Sequence, residues 1–424
     1  MSTNTGEMAR SDGSGMHEPS LHDHELNRRG FLSGLAAVAS MAVVDLVAPS
    51  IARAEEGPLA DPTRVPGALP SAYGKRSRFE TATRASGFSH SLTPHQTLHG
   101  IITPSALHFE RHHNGVPTID PSAHRLLVHG LVARPLTFSM DDLLRFPSVT
   151  RIICIECSGN SAGEWTAPAG RTVQDTHGLM STSEWTGVPL ATILDQAGVQ
   201  PDAVWMLAEG SDSAAMTRSL PLADMMSSAL LCYGQNGEAL RPEQGYPLRL
   251  IVPGWEGNTA IKWVRRLKLG PKPFMTREET SHYTDLLPEG KARQFSFVME
   301  AKSVITSPSG GQVVQPGFVE IRGVAWSGRG LVRRVEISVD GGTSWADAQL
   351  QSPVLPYCHT RFRFAWQWNG EAAVLQSRCT DETGYRQPTR AALVAVRGVN
   401  STYHYNAIQS WRIASDGNVT NVHV

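Results

Sequence analysis

Two thiols, Cys154 and Cys157, lie in the stretch Arg151-Ile-Ile-Cys-Ile-Glu-Cys-Ser-Gly-Asn-Ser-Ala-Gly-Glu-Trp165. A Cys-x-x-Cys pair can bind a metal or run thiol–disulfide exchange. The exchange chemistry needs a helix that begins at the first Cys. Here the flanking residues are apolar and β-branched, which predicts a buried strand. Ser158-Gly159-Asn160 predicts a tight turn directly after it. Cys157 therefore falls where a rigid strand opens into a turn and can point its sulfur into a cavity. A thiolate there is a soft ligand that suits a redox metal. Residues an odd number apart on a strand face opposite sides, so Cys154 is expected in the core. A buried free thiol at Cys157 or a Cys154–Cys157 disulfide remain open on these residues alone.

The rest of the cysteine pattern narrows the chemistry. Five Cys is an odd number, so at least one is unpaired or a ligand. A second Cys-x-x-Cys is absent, which argues against a four-thiolate zinc site. Ser158 follows Cys157 where c-type haem attachment needs His, so this chain is expected to carry no haem of its own. Cys358 and Cys379 are candidates for a disulfide in an oxidising compartment.

A chain of 424 residues with 41% hydrophobic and 18% charged residues suits two or three globular domains with substantial cores. Its net charge of −1 gives no bulk electrostatic case for nucleic acid or an anionic membrane. The N-terminus reads as an export signal: Asn27-Arg28-Arg29-Gly30-Phe31-Leu32, a short apolar run over residues 33–44, then Ala52-Arg53-Ala54 as a cleavage site. That run is too short to span a bilayer, and paired arginines before Gly-Phe-Leu resemble a twin-arginine signal. Residues 1–54 are thus expected to be a signal peptide, with the mature protein in a bacterial periplasm.

The elements that must position Cys157 follow. Residues 55–100 read as an extended arm over the first domain. Arg111, His112 and His113 cluster between turn signals and can face a pocket or solvent. Residues 125–130 predict a strand. Ser139 to Asp142 predicts a capped helix start, with Pro147 as its stop. Residues 188–196 predict a helix ended by Gly198, and 203–207 a strand. Residues 220–226 predict a helical turn, and 229–233 with Asn236-Gly237 a hairpin. Residues 248–252 and 261–269 predict strands joined by a glycine-containing loop. Without a regular βαβ rhythm this is an α+β domain, placed at residues 55–295. After residue 296 short strands recur at 319–324, 332–339, 361–368 and 373–379 without helical periodicity. That pattern predicts an immunoglobulin-like sandwich over 296–424. Ser338 to Trp345 resembles an Asp-box and reads as a well-formed hairpin turn.

Taken together, these segments resemble the sulfite oxidase family of molybdenum enzymes. The motifs that carry the resemblance run in order: Thr103-Pro104 with Arg111-x-His113, Cys157-x-Gly159-Asn160, Ser183-Glu-Trp185, Tyr233-Gly-Gln-Asn236-Gly237, Gly245-Tyr-Pro-x-Arg249, and Val252-Pro-Gly254 with Lys262-Trp263. The resemblance implies a molybdopterin domain followed by a dimerisation domain, and a molybdenum cofactor ligated by Cys157. It implies that Arg249, Lys262 and His113 bind the pterin's phosphate, the first as a planar fork and the second as a compact charge. Asp212 resembles the carboxylate that takes hydrogen bonds from the pterin. Arg111 matches the arginine beside the metal that attracts an anionic substrate, and Tyr283 the family's active-site tyrosine. Trp185 is expected as a pocket wall.

Two departures from the family's animal members bear on substrate. Ala162 stands where they carry a second active-site arginine, and Gln244 where they carry a histidine. A less cationic pocket implies a substrate other than free sulfite, and the chain looks most like the family's molybdenum subunits that act on sulfane sulfur held by a carrier protein. The resemblance further implies a c-type cytochrome as electron acceptor and a homodimer within a hetero-oligomer. A sulfoxide reductase of the same fold is the alternative activity.

Overall fold

The computed structural model describes residues 66–168 and 170–424. The expected signal peptide, and the first part of the arm, lie outside the described residues. Contacts group the chain into Met1–Lys75 and Arg76–Val424, and every element described here belongs to the second unit.

The Cys157 strand, Val149–Glu156, is the edge of a five-stranded sheet. It pairs antiparallel along its whole length with Met180–Pro189, which in turn pairs with Leu230–Gln235. Arg249–Ile251 also joins Leu230–Gln235, with Cys232 opposite Arg249. The hairpin at Asn236-Gly237 forms as expected, both residues taking positive φ (52° and 77°). A second five-stranded sheet runs in the order Leu136–Ser139, Arg125–Gly130, Val264–Gly270, Trp205–Gly210, Thr217–Pro221. The largest apolar core includes residues of this sheet, such as Leu126, Val128 and Leu267, and of two short helices, Leu190–Ala197 and Leu222–Ser228.

Local sequence rules hold at the helix ends. Ser139 caps Met140–Leu144 through a reciprocal box with Asp142. Gly198 ends Leu190–Ala197 in the left-handed region, φ 72°. Three expectations shift. The strand placed at 203–207 is Trp205–Gly210, so it delivers Glu209 and Gly210 to the site loop as strand residues. The strand placed at 261–269 starts only at Val264, because Trp263 turns to φ 52° and leaves Lys262 in a loop. The arm gains regular pairing that its sequence did not mark: Ala85–Ser86 and His90–Leu92 form a hairpin, and His90 pairs with Arg111.

Beyond residue 300 two sheets face each other. One holds Lys302–Ser307, Gly317–Trp326, Thr360–Trp368 and Gln349–Leu350; the other holds Ala346–Asp347, Val332–Ser338, Ala373–Asp381, Ser410–Ile413 and Val419–Val422. Trp326, Phe362, Trp368 and Trp411 fill the space between them. One helix, Arg390–Arg397, breaks the expected run of strands; Thr389 caps it and Gly398 follows it. Asp340 closes the 338–345 turn, accepting from Ser344 N at 2.9 Å and from Ser338 Oγ at 2.7 Å. All five cysteines are free thiols, so Cys358 and Cys379 are not bridged.

Candidate functional site

Cys157 sits one residue beyond its strand. Its N–H donates to Leu179 O at 2.9 Å and its carbonyl accepts from Asn160 N at 2.8 Å. Asn160 then donates to Glu156 Oε1 at 2.9 Å and accepts from Leu179 N at 3.1 Å. Both ends of the turn are thereby tied, and the sulfur faces a cavity of about 650 Å³. Gly257 presses the opposite loop onto the strand end: a Cβ there would stand 3.0 Å from Ile155 Cγ2 and 3.1 Å from Glu156 O. The parity expected for the pair holds. Cys154 belongs to the sandwich-side core and Cys157 packs against a separate cluster around Ile153 and Ile155.

The same cavity is lined by Arg111, His113, Asp212, Arg249, Lys262 and Tyr283. The fold thus brings all seven residues singled out in the sequence to one place. Arg111 and His113 therefore face a pocket, where sequence left pocket and solvent open. Tyr283 Oη lies 2.9 Å from His113 Nε2, and its ring rests 4.9 Å from the Arg218 guanidinium. Arg218 is itself buried and held by Glu279 at 2.7 Å. Tyr283 (φ 26°) and Trp263 (φ 52°) are bulky residues at positive φ, and both line the cavity. Such strain persists where surrounding structure fixes it, commonly at functional sites.

Trp185 is a correction. It is fully buried beneath Arg249, 5.0 Å from its guanidinium, with its indole N–H on Ile153 O at 3.2 Å. It is the floor under an arginine and not a pocket wall. Gln244, by contrast, lines the cavity and holds Arg249 through Oε1 at 2.9 Å, while its amide donates to Phe109 O at 2.9 Å. Sequence reading also passed over Glu110, whose carboxylate meets His112 Nε2 at 2.6 Å. His112 Nδ1 then lies 2.7 Å from Lys262 Nζ. Only adjacency to Arg111 could have pointed to Glu110, since its partner chain closes in three dimensions.

Electrostatics at the cavity are those of buried cations without a directly paired carboxylate, with Glu110, Asp212 and Glu243 near enough to favour the charge on Lys262. Burial holds Arg249 down to about 9 and Lys262 well below the usual lysine range. Among the described residues neither has a carboxylate at ion-pair distance. Lys262 spends its donors on Arg111 O at 3.1 Å, Glu243 O at 3.2 Å and His112. Arg249 Nε is buried with no partner at all. Burial, then Arg111, lowers His113 to about 4, so its ring is neutral at ordinary pH. Burial raises the Cys157 thiol, opposed by the Gly159 N–H and Arg111; a bound cation would reverse the balance.

These residues fit a molybdopterin group. Such a group needs one protein sulfur, room for a pterin, and cations for a phosphate. The cavity joins Cys157, which supplies the sulfur, to Arg249 and Lys262, and the unpaired Arg249 Nε with Lys262 suits an anion. Among the described residues no cluster of three or more His, Cys, Asp or Glu could hold a metal ion.

Comparison with known proteins agrees with the geometry. The family model described as the oxidoreductase molybdopterin binding domain matches residues 113–278, and that of the Mo-co oxidoreductase dimerisation domain matches residues 293–411. The chain is 33% identical over 300 residues to mitochondrial sulfite oxidase of Homo sapiens, covering 66% of this chain and 54% of that protein. It is 32% identical over 344 residues to the NADH nitrate reductase of Solanum lycopersicum, covering 69% and 37%. The chain thus spans about half the length, or less, of these curated relatives. The crystal structure of the sulfane dehydrogenase SoxCD from Paracoccus pantotrophus matches with a TM-score of 0.83 and 44% identity, covering 85% of this chain and 96% of that one.

Proposed function

Because the chain belongs to the sulfite oxidase family of molybdopterin oxidoreductases, we propose that it is a molybdenum-dependent dehydrogenase of sulfane- or sulfite-type sulfur. One observation carries this reading: Cys157, Arg111, His113 and Tyr283 meet in the cavity where Arg249 and Lys262 lie buried without carboxylate partners. The molybdenum cofactor, when bound, supplies two-electron oxygen-atom transfer between water and a sulfur centre. The chain's part is to hold and orient. Cys157 holds the metal. Arg249, Lys262 and His113 would clamp the phosphate, with Asp212 against the pterin. Arg111 draws the substrate's developing negative charge, and Tyr283, fixed by His113 and Arg218, donates from its hydroxyl.

The wider reading extends the same logic. Electrons leave to a c-type cytochrome, since Cys157 is followed by Ser158 and no haem attachment motif occurs. The match of residues 293–411 to a dimerisation domain supports pairing of two copies through the sandwich. Residues 1–54 direct export to the periplasm, 55–295 form the cofactor domain and 296–424 the sandwich. The sulfur substrate is presented on a carrier protein, a reading supported by Ala162 and Gln244 in place of charged or ionisable residues.

The test is molybdenum per chain in the purified protein and in Cys157→Ser, paired with cytochrome c reduction driven by thiosulfate or sulfite. The expected result is about one molybdenum per chain and turnover in the unmodified protein, both lost in the variant. A Cys157→Ser protein that kept metal and activity would overturn the assignment.

A further inference from the structure

A second cavity, of about 680 Å³, also reaches Cys157. Its walls include Ser158, the 295–299 loop, and the sandwich segment His404–Asn406. Ser158 Oγ, Ser296 Oγ and Asn406 Oδ1 are buried there with no partner. A void presenting unpaired polar atoms is suited to polar matter, ordered water or ligand.

Its buried charges are arranged in an unusual way. Arg397, buried at the end of helix Arg390–Arg397, lines it. Its NH1 donates to Asp285 Oδ2 at 2.9 Å, and its NH2 lies 3.4 Å from both oxygens of Glu300. Asp285 is further fixed by Ser401 Oγ at 2.7 Å. His404 is paired with Glu256, and Glu156 with Lys302 at 3.0 Å. Every buried cation on this side of Cys157 is thus answered by a carboxylate. The other two lining arginines, Arg293 and Arg329, are exposed to water, where their charge is screened. The contrast with Arg249 and Lys262 is direct: those cations are met by neutral groups, with Arg249 Nε unpartnered, whereas Arg397 is met by two carboxylates.

Resting on the proposed function, we infer that Asp285 and Glu300 quench Arg397 and thereby set this enzyme against small free sulfur oxyanions. A sulfite or sulfate dianion entering here meets a guanidinium whose donors are committed and two carboxylates that repel it. A sulfur group on a neutral polar chain meets instead the unpaired donors and acceptors of Ser158, Ser296 and Asn406. Asp285 and Glu300 are then specificity residues that act through Arg397.

The experiment uses the purified holoenzyme and two variants, Glu300→Gln and Asp285→Asn. Sulfate is titrated by calorimetry, and cytochrome c reduction is measured with sulfite and with thiosulfate. With one of its two carboxylates neutralised, Arg397 is expected to tighten sulfate binding about tenfold and to raise kcat/KM for sulfite by a similar factor. Asp285 has several partners and its variant can misfold; Glu300 is partly exposed and, among the described residues, bonds only Arg397, so Glu300→Gln carries the test alone if needed. Sulfate affinity within about twofold of the unmodified enzyme in the folded variants overturns the inference, whatever turnover shows. An unmodified enzyme silent with every sulfur substrate instead sinks the functional reading, and the calorimetry distinguishes the two failures.

Discussion

Lys302 Nζ lies 3.0 Å from Glu156 Oε1, and both groups are buried. Lys302 opens the first strand of the sandwich, and Glu156 is the residue before Cys157. The other carboxylate oxygen accepts from Trp326 Nε1 at 2.8 Å, and Lys302 also reaches Ser161 Oγ at 3.0 Å. The sandwich therefore grips the turn that presents the thiol. A buried pair contributes little net stability, but removing one partner strands the other charge. Lys302→Met is expected to lower unfolding stability by about 3–5 kcal/mol and to reduce molybdenum retention. The double variant Glu156→Gln, Lys302→Met should recover most of the stability but not the grip. Thermal unfolding and metal analysis on the three proteins separate these effects.

Arg249 sets stability against function. Its guanidinium is desolvated, held by neutral Gln244, and has one nitrogen unpartnered. Arg249→Met should therefore leave the cofactor-free protein as stable as before, or more stable by about 1 kcal/mol, since an unpaired buried charge is removed. The same change should abolish cofactor retention. Cofactor-free protein that unfolds much earlier than its parent would show Arg249 to be structural.

How much of this was legible depended on the range of the interaction. Cys157 could be read because strand, turn and parity are local. The capping of Met140–Leu144 and the Asn236-Gly237 hairpin were local too. Arg249, Lys262, His113 and Asp212 became visible only through ordered motifs that resemble a family, because their shared cavity closes across distant segments. Trp185 failed for the same reason: a buried tryptophan below a ligand residue and one lining a pocket have identical sequence signals. Helix Arg390–Arg397 was not assigned in sequence, although Thr389 and Gly398 mark its ends, because it is a short helix within a run of strands. The matching of Arg397 with Asp285 and Glu300 left no trace in sequence at all.

Tyr283 and His113 form a mutually oriented pair at 2.9 Å. Tyr283→Phe removes the hydroxyl and keeps the ring on Arg218. Folding and molybdenum content should be unchanged, while kcat falls about 10- to 100-fold with a smaller change in KM. Steady-state kinetics in both parameters check this; an unaltered kcat would make Tyr283 a packing residue.

Four buried imidazoles predict how the protein meets acid. Burial lowers His95 to about 4, His108 and His359 to about 3, and holds His177 well below the usual imidazole range. Each folded-state value lies below the unfolded value of about 6.5. The unfolded chain therefore binds more protons once pH drops below that point, and stability must fall with it. The contribution is complete above about pH 6.5 and is lost as pH falls toward the folded values, by about 1.4 kcal/mol per pH unit for each histidine. Denaturant unfolding at intervals from pH 7.5 to 5 should show that slope on the acid side of about pH 6.5. His95→Gln removes one titrating group and keeps a polar side chain for the backbone at His177 and Met180. Its slope should be shallower by about one proton's worth. An unchanged slope would mean that His95 titrates alike in both states.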